Sequence, residues 1–383
     1  MRLSLILRMC VIMWSWLIAC DEPEQHIAEL RVVIVPTRAP VDSICATRRS
    51  REPQVVYVAY QDSDVIARLS PHRSDSGYDL VDTLKPDVAE ATSVRRVWKT
   101  RVRPMESGDV NHDGIMDIAY VSAFDQGIRM GLGRGGGTLI EGGYVLLGEG
   151  IETLDIADAT GDGVDDIIAV SGGAFYGLSV WCMVDGEWKL SRRIELGGDI
   201  RASGTEVIDT NGDGLQDILV ADTRRERTMV YECRVDGAYV PHDLGPGARW
   251  PMATVGADID LDGKADALIS SLDQPQLVAW ISSRGSYVHG ALKSGWIAYD
   301  IAVGDIDRDG CQDIIRTLGA SREATGIGVI SAESFLDGND DTKIDGVIED
   351  PWSVACADTR GMGTLAVVVS SFSLPRLAVI CFP

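Results

Sequence analysis

Five near-copies of one fourteen-residue segment limit what this chain can fold into. DVNHDGIMDIAYVS begins at Asp109. Its relatives are DATGDGVDDIIAVS at Asp158, DTNGDGLQDILVAD at Asp209, DIDLDGKADALISS at Asp258 and DIDRDGCQDIIRTL at Asp305. The intervals are 49, 51, 49 and 47 residues, the mark of one supersecondary unit repeated along the chain. Other positions keep the beat: Leu139, Trp188, Tyr239, Tyr287 and Phe335 each fall 29 or 30 residues after the first Asp of a copy.

Two further copies are degenerate. DTRGMGTLAVVVS keeps the frame from Asp358 but has lost most of its acids, and VVYVAY with the SGY at 76–78 implies another copy near residue 48. Within a copy, DIAYVS, DIIAVS and DILVAD are apolar and β-branched and are bounded by Gly and Asp, so they read as strands. No helical period is evident after residue 20. The expected fold is all-β: a seven-bladed β-propeller over residues 30–383, built of repeats of about 50 residues with Asp-rich hairpin loops. The last repeat ends one strand short, and LRVVIVP at 30–36 is expected to supply that strand, the other reading being a loose N-terminal arm.

The loops have the oxygen pattern of a calcium site. Positions 1, 3, 5 and 9 carry Asp109, Asn111, Asp113 and Asp117, then Asp158, Thr160, Asp162 and Asp166, then Asp209, Asn211, Asp213 and Asp217. The last two copies carry Asp258, Asp260, Asp262 and Asp266, and Asp305, Asp307, Asp309 and Asp313. Calcium takes six to eight oxygens in flexible geometry, and alternate residues of a tight loop point at one centre. Position 7 would offer only its backbone carbonyl, which explains why Ile115, Val164, Leu215, Lys264 and Cys311 differ so much there. Gly at position 6 allows the sharp turn. An EF-hand is excluded, because it needs Glu at position 12 and a following helix, and here that position holds Tyr120, Ala169, Val220, Ile269 and Arg316. The pattern resembles the FG-GAP or VCBS repeat of integrin-α-type propellers. That resemblance implies calcium held between the first and second strands of a blade, about five ions in all. Thr160 should weaken its site, and Arg360 and Met362 should abolish the one at Asp358.

The net charge of −23 excludes a nucleic-acid partner and adsorption to anionic lipid. Seventeen of the acids are the loop aspartates, and five divalent ions would cancel ten negative charges. Cys45, Cys182, Cys233, Cys311, Cys356 and Cys381 show no zinc spacing. They read mostly as small core residues, with some disulfide pairing left open.

Residues 1–19 read as an export signal: Arg2 and Arg8 precede an apolar run too short to span a bilayer. Leu17-Ile18-Ala19-Cys20 resembles the lipobox of bacterial lipoproteins. That resemblance implies a lipidated Cys20, a tether over residues 20–29, and a cell-envelope protein on the periplasmic or surface side. An ordinary signal peptide with an incidental cysteine, or a plain N-terminal anchor, is the alternative.

No nucleophile elbow, zinc-protease motif or phosphate loop is present, and the five histidines are scattered. The expected role is therefore non-catalytic: recognition of a protein or glycan, with the membrane touched only through the lipid. The alternatives are a carbohydrate-active lyase or hydrolase on a propeller scaffold, drawing on Asp155, Asp300 or Glu206, and a purely structural lipoprotein. Arg101, Arg201, Trp250, Trp296 and Trp352 lie six to nine residues before a motif, which puts them at the rim opposite the loops. They form a candidate binding face, or else pack between blades.

Overall fold

The computed structural model describes residues 30–47, 54–61, 63–73, 77–85, 104–122, 127–145, 150–171, 177–196, 201–245, 247–273, 276–291, 297–319, 325–339 and 341–382. Cys20, Arg101, Trp296 and the first degenerate loop at 48–53 lie outside the described residues.

Each repeat forms one antiparallel four-stranded sheet, and there are seven sheets. The first strands are Val41–Ala46, Met105–Gly108, Ile151–Ala157, Ala202–Ile208, Pro251–Ala257, Ile301–Gly304 and Pro351–Ala357. Each contacts the first strand of the next sheet, and the seventh contacts the first, so the blades close a ring around an axis. The chain is a seven-bladed β-propeller.

Burial follows from this stacking. Second strands such as Asp117–Val121, Asp166–Ser171 and Ala366–Ser371 have a neighbouring blade on both faces and are buried along their whole length. This explains their unbroken apolar sequences. The outer strand Glu187–Glu195 is edge-exposed and carries five charged residues, which also discourages pairing with another chain. The core is therefore divided among the blade interfaces. One cluster joins Ala157, Ile168 and Leu178 of the third blade to Val207, Ile218 and Tyr231 of the fourth.

The seventh blade takes three strands from the C-terminus and its fourth from the N-terminus. Arg31–Pro36 pairs antiparallel with Arg376–Cys381, Arg31 opposite Cys381 and Pro36 opposite Arg376. Val35 is buried in the cluster shared with the first blade. The early strand is thus part of the ring closure and not a loose arm.

Polar groups pin neighbouring blades together. Asp155 accepts from the amide of Val207 at 2.7 Å. Asp300 accepts from the Val354 amide and the Ser353 hydroxyl, both at 2.9 Å. Asp165 accepts from the Asp109 amide at 2.8 Å. Burial pushes the Asp300 carboxyl up to about 6, against the effect of these donors.

The sixth blade departs from the pattern. A helix at Ala332–Leu336, capped by the Ser331 hydroxyl, precedes a fourth strand of three residues, Thr342–Ile344. Phe335, the residue on the repeat's aromatic beat, is buried in this helix.

Candidate metal centres and the opposite rim

Each Asp-rich loop joins the first and second strands of its blade, and hydrogen bonds within the loop fix its shape. In the second blade, Asp109 accepts from the Asp113 amide at 3.0 Å and from the Gly114 amide at 2.8 Å. Asp113 in turn accepts from the Ile115 amide. The same bonds recur from Asp158 and Asp162, Asp209 and Asp213, and Asp258 and Asp262. In the loop at Asp305, Gly310 and Cys311 donate likewise to Asp305 and Asp309.

Two turns of left-handed backbone are needed, not one. Gly114 at position 6 has φ +85°, and position 4 is also left-handed: His112 +58°, Leu261 +55° and Arg308 +66°, with glycines at 161 and 212. An L-residue there costs about 1–2 kcal/mol. Leu261 is also 60% exposed, so its side chain gains little from packing. Leu261→Gly should therefore be neutral or stabilising by up to about 1 kcal/mol, read as an unchanged or raised denaturation midpoint. A loss of stability would count against this account of the turn.

The aspartates at position 9 do a second job. Asp117 is fully buried and accepts from the amides of Val110 and Gly133, at 3.1 and 2.7 Å, tying the loop to the third strand of the blade. Asp217 and Asp266 do the same through Thr210 and Cys233, and through Ile259 and Ser282. In the loop carrying Thr160 the bond shifts by one residue: the Thr160 amide itself donates to Asp166. Burial raises all five of these carboxyls, Asp117 and Asp313 to about 7, and the neighbouring acids of each loop push the same way. Buried, mutually repelling carboxylates are what a divalent cation would balance.

The donor set fits calcium most closely in the fifth and sixth blades. Carboxylate oxygens of Asp258, Asp260 and Asp262 lie within 4.8 Å of one another, as do those of Asp305, Asp307 and Asp313. Oxygens bound at 2.3–2.6 Å to one ion would be about 5 Å apart at most. One oxygen of Asp260 and one of Asp305 are buried without a donor among the described residues. Both residues belong to these converging sets, and the all-oxygen set is that of a hard ion.

The degenerate loop shows what remains when the acids are lost. Asp358 still accepts from the amides of Met362 and Gly363, so its backbone keeps the shape. Arg360, at the position of a ligand, instead lies over the Tyr78 ring at 4.8 Å and donates to the Tyr78 hydroxyl and Gly77 carbonyl of the first blade.

A family model described as an FG-GAP-like repeat matches residues 158–220 and 209–269, two consecutive blade-to-blade units. This seven-bladed β-propeller carries FG-GAP-like repeats. No curated protein matches it.

In this propeller, the residues expected at the opposite rim divide. Trp250 precedes the first strand of its blade, is 53% exposed and has φ +48°. Arg201 is exposed too, and its amide donates to the buried Asp222. Trp352 belongs to the other alternative and is removed from the candidate face. It lies inside the strand Pro351–Ala357, 3% exposed, packed against the tilted rings of Tyr299 at 4.9 Å and Phe372 at 4.6 Å. Its indole N–H donates to the Asp42 carbonyl of the first blade. No disulfide joins any of the six described cysteines, so none braces the blades among the described residues. Two features were not anticipated from sequence: a buried ion pair, Arg316 with Asp341, and a cleft beside Arg192.

Proposed function

We propose that this propeller is a calcium-binding, non-catalytic recognition protein of the bacterial cell envelope, anchored by a lipid on Cys20. It engages a protein or glycan through the rim opposite its Asp-rich loops. The observation that carries the calcium reading is the pair of buried, donorless oxygens on Asp260 and Asp305, each in a loop where three carboxylates converge. The recognition reading rests on Trp250 and Arg201, whose side chains stand in solvent at that rim, since Trp and Arg dominate interface hot spots. Asp155 and Asp300, two of the three carboxylates considered for catalysis beside Glu206, are engaged by the next blade's amides, which favours binding over chemistry.

Calorimetric titration of the metal-stripped protein tests the first part. About five calcium ions should bind, and Asp260→Asn with Asp305→Asn should weaken two of those sites; no binding heat would end the calcium reading. Substitution tests the second. Trp250→Ala should abolish capture of the partner with melting unchanged, whereas Trp352→Ala should cost about 3–5 kcal/mol of stability. If Trp250→Ala melts like Trp352→Ala, both are packing residues and the rim is not a binding face.

A further inference from the structure

On the loop side, the third and fourth blades part to leave a cleft of about 450 Å³. Its walls include Thr160 and Gln216 from the two loops, Arg192 from the outer strand of the third blade, and the turn at Asp236 and Gly237. Arg192 lies against that turn so closely that a Cβ on Gly237 would stand 2.2 Å from its Nη2. Its guanidinium carbon is 5.7 Å from the centre of the Tyr239 ring.

This arginine is anomalous. Its Nη1 is shut off from solvent and has no hydrogen-bond acceptor among the described residues. Among those residues none of the chain's 58 carboxylates pairs with it, although acids outnumber Lys and Arg by 23. Arg192 is half-buried as a whole, but a covered donor without an acceptor is still costly. Contact with the tyrosine ring offsets only part of that cost. The rest of the side chain lines the open cleft, where an acceptor from another molecule can reach it.

We propose that the cleft binds a carboxylate-bearing sugar, a uronate of a short acidic glycan, with the Arg192 guanidinium gripping the carboxylate. The planar fork of arginine matches a carboxylate through two parallel hydrogen bonds. A doubly charged phosphate would meet stronger repulsion than a singly charged carboxylate from Asp165 and Asp236, which also line the cleft. The volume lies in the range of small-ligand sites, about 300–1,000 Å³. The Gln216 amide and Asp236 carboxylate suit sugar hydroxyls. Val235, 97% exposed at the tip of the adjoining turn, offers an apolar contact to a ring face. The site is on the loop side, so it depends neither on the Trp250 rim nor on its partner.

Calorimetry with the full chain and digalacturonate tests this. Binding is expected, weakened at least about tenfold by Arg192→Gln. Arg192→Lys, which keeps the charge without the fork, should recover part of it. The neutral digalactoside should not bind, and Trp250→Ala should bind digalacturonate as the parent does. Melting of Arg192→Gln should match or exceed the parent, because a covered donor without an acceptor has been removed. The proposal is overturned by failure of digalacturonate to bind, by equal binding to Arg192→Gln or of the neutral sugar, by binding of a Glu-rich peptide in its place, or by a marked fall in melting temperature for Arg192→Gln.

Discussion

Stripping calcium should lower the melting temperature of this propeller by roughly 10 °C or more. A ligand that binds only the folded state contributes about 2.7 kcal/mol per site at a hundredfold excess over its dissociation constant. The two loops with converging carboxylates would alone contribute about 5 kcal/mol, at roughly 2–4 °C for each kcal/mol. The effect should depend on pH with a definite sign. Without metal, burial raises Asp117 and Asp313 from an ordinary 3.8 to about 7. A carboxyl raised on folding favours the folded state while protonated, so that contribution is complete below about pH 4 and is lost as pH rises through 7. Calcium needs the charged form, so its stabilisation grows over the same interval. The gap between calcium-loaded and metal-stripped melting curves should therefore widen from pH 5 to pH 8. A gap that is absent, or the same at both ends, would remove calcium from the account of these loops.

The blades were legible because their determinants are local and repeated. Asp at position 1 and Gly at position 6 satisfy one another within five residues, and the loop at Asp358 keeps that bond with its other acids gone. Burial on both faces by identical neighbours produced the apolar runs. The closing strand was legible by subtraction, since one blade lacked a fourth strand. What sequence could not separate was Trp250 from Trp352. They sit eight and six residues before their motifs. The first lies in left-handed backbone outside its strand, the second within a strand wedged between two aromatic rings. Position 4 was hidden in a different way: His112, Leu261 and Arg308 occupy a backbone conformation that their residue types do not announce. The calcium ligand frame could be read as a pattern of oxygens, but not the second role of position 9. Its partners, such as Gly133 for Asp117, come from another strand.

The pair Arg316 and Asp341 should give single-residue losses of stability as large as that expected for Trp352→Ala. Position 12 of the repeat is buried, and the other blades place Tyr120, Ala169, Val220, Ile269 and Val369 there. Among the described residues only the sixth blade buries an arginine there, Arg316 at 1% exposure, with both Nε and a terminal nitrogen donating to one oxygen of Asp341 at 2.9 and 2.6 Å. Asp341 is at 0% side-chain exposure, just before the shortened outer strand. Two charges taken from water this completely are tolerable only together. Asp341→Ala leaves a buried guanidinium without its partner and should cost about 3–5 kcal/mol, and Arg316→Met should do the same to the carboxylate. The double variant Arg316→Met with Asp341→Leu removes both desolvation costs and restores the apolar residue the repeat otherwise uses. It should fall within about 1 kcal/mol of the parent or exceed it, so the two losses should be strongly non-additive. Denaturant midpoints of the four proteins decide the matter. If Asp341→Ala is as stable as the parent, or the double variant is no better than the worse single one, the pair does not hold the sixth blade. Its place in the frame would then have to be explained by the helix and short strand that replace the regular outer hairpin there.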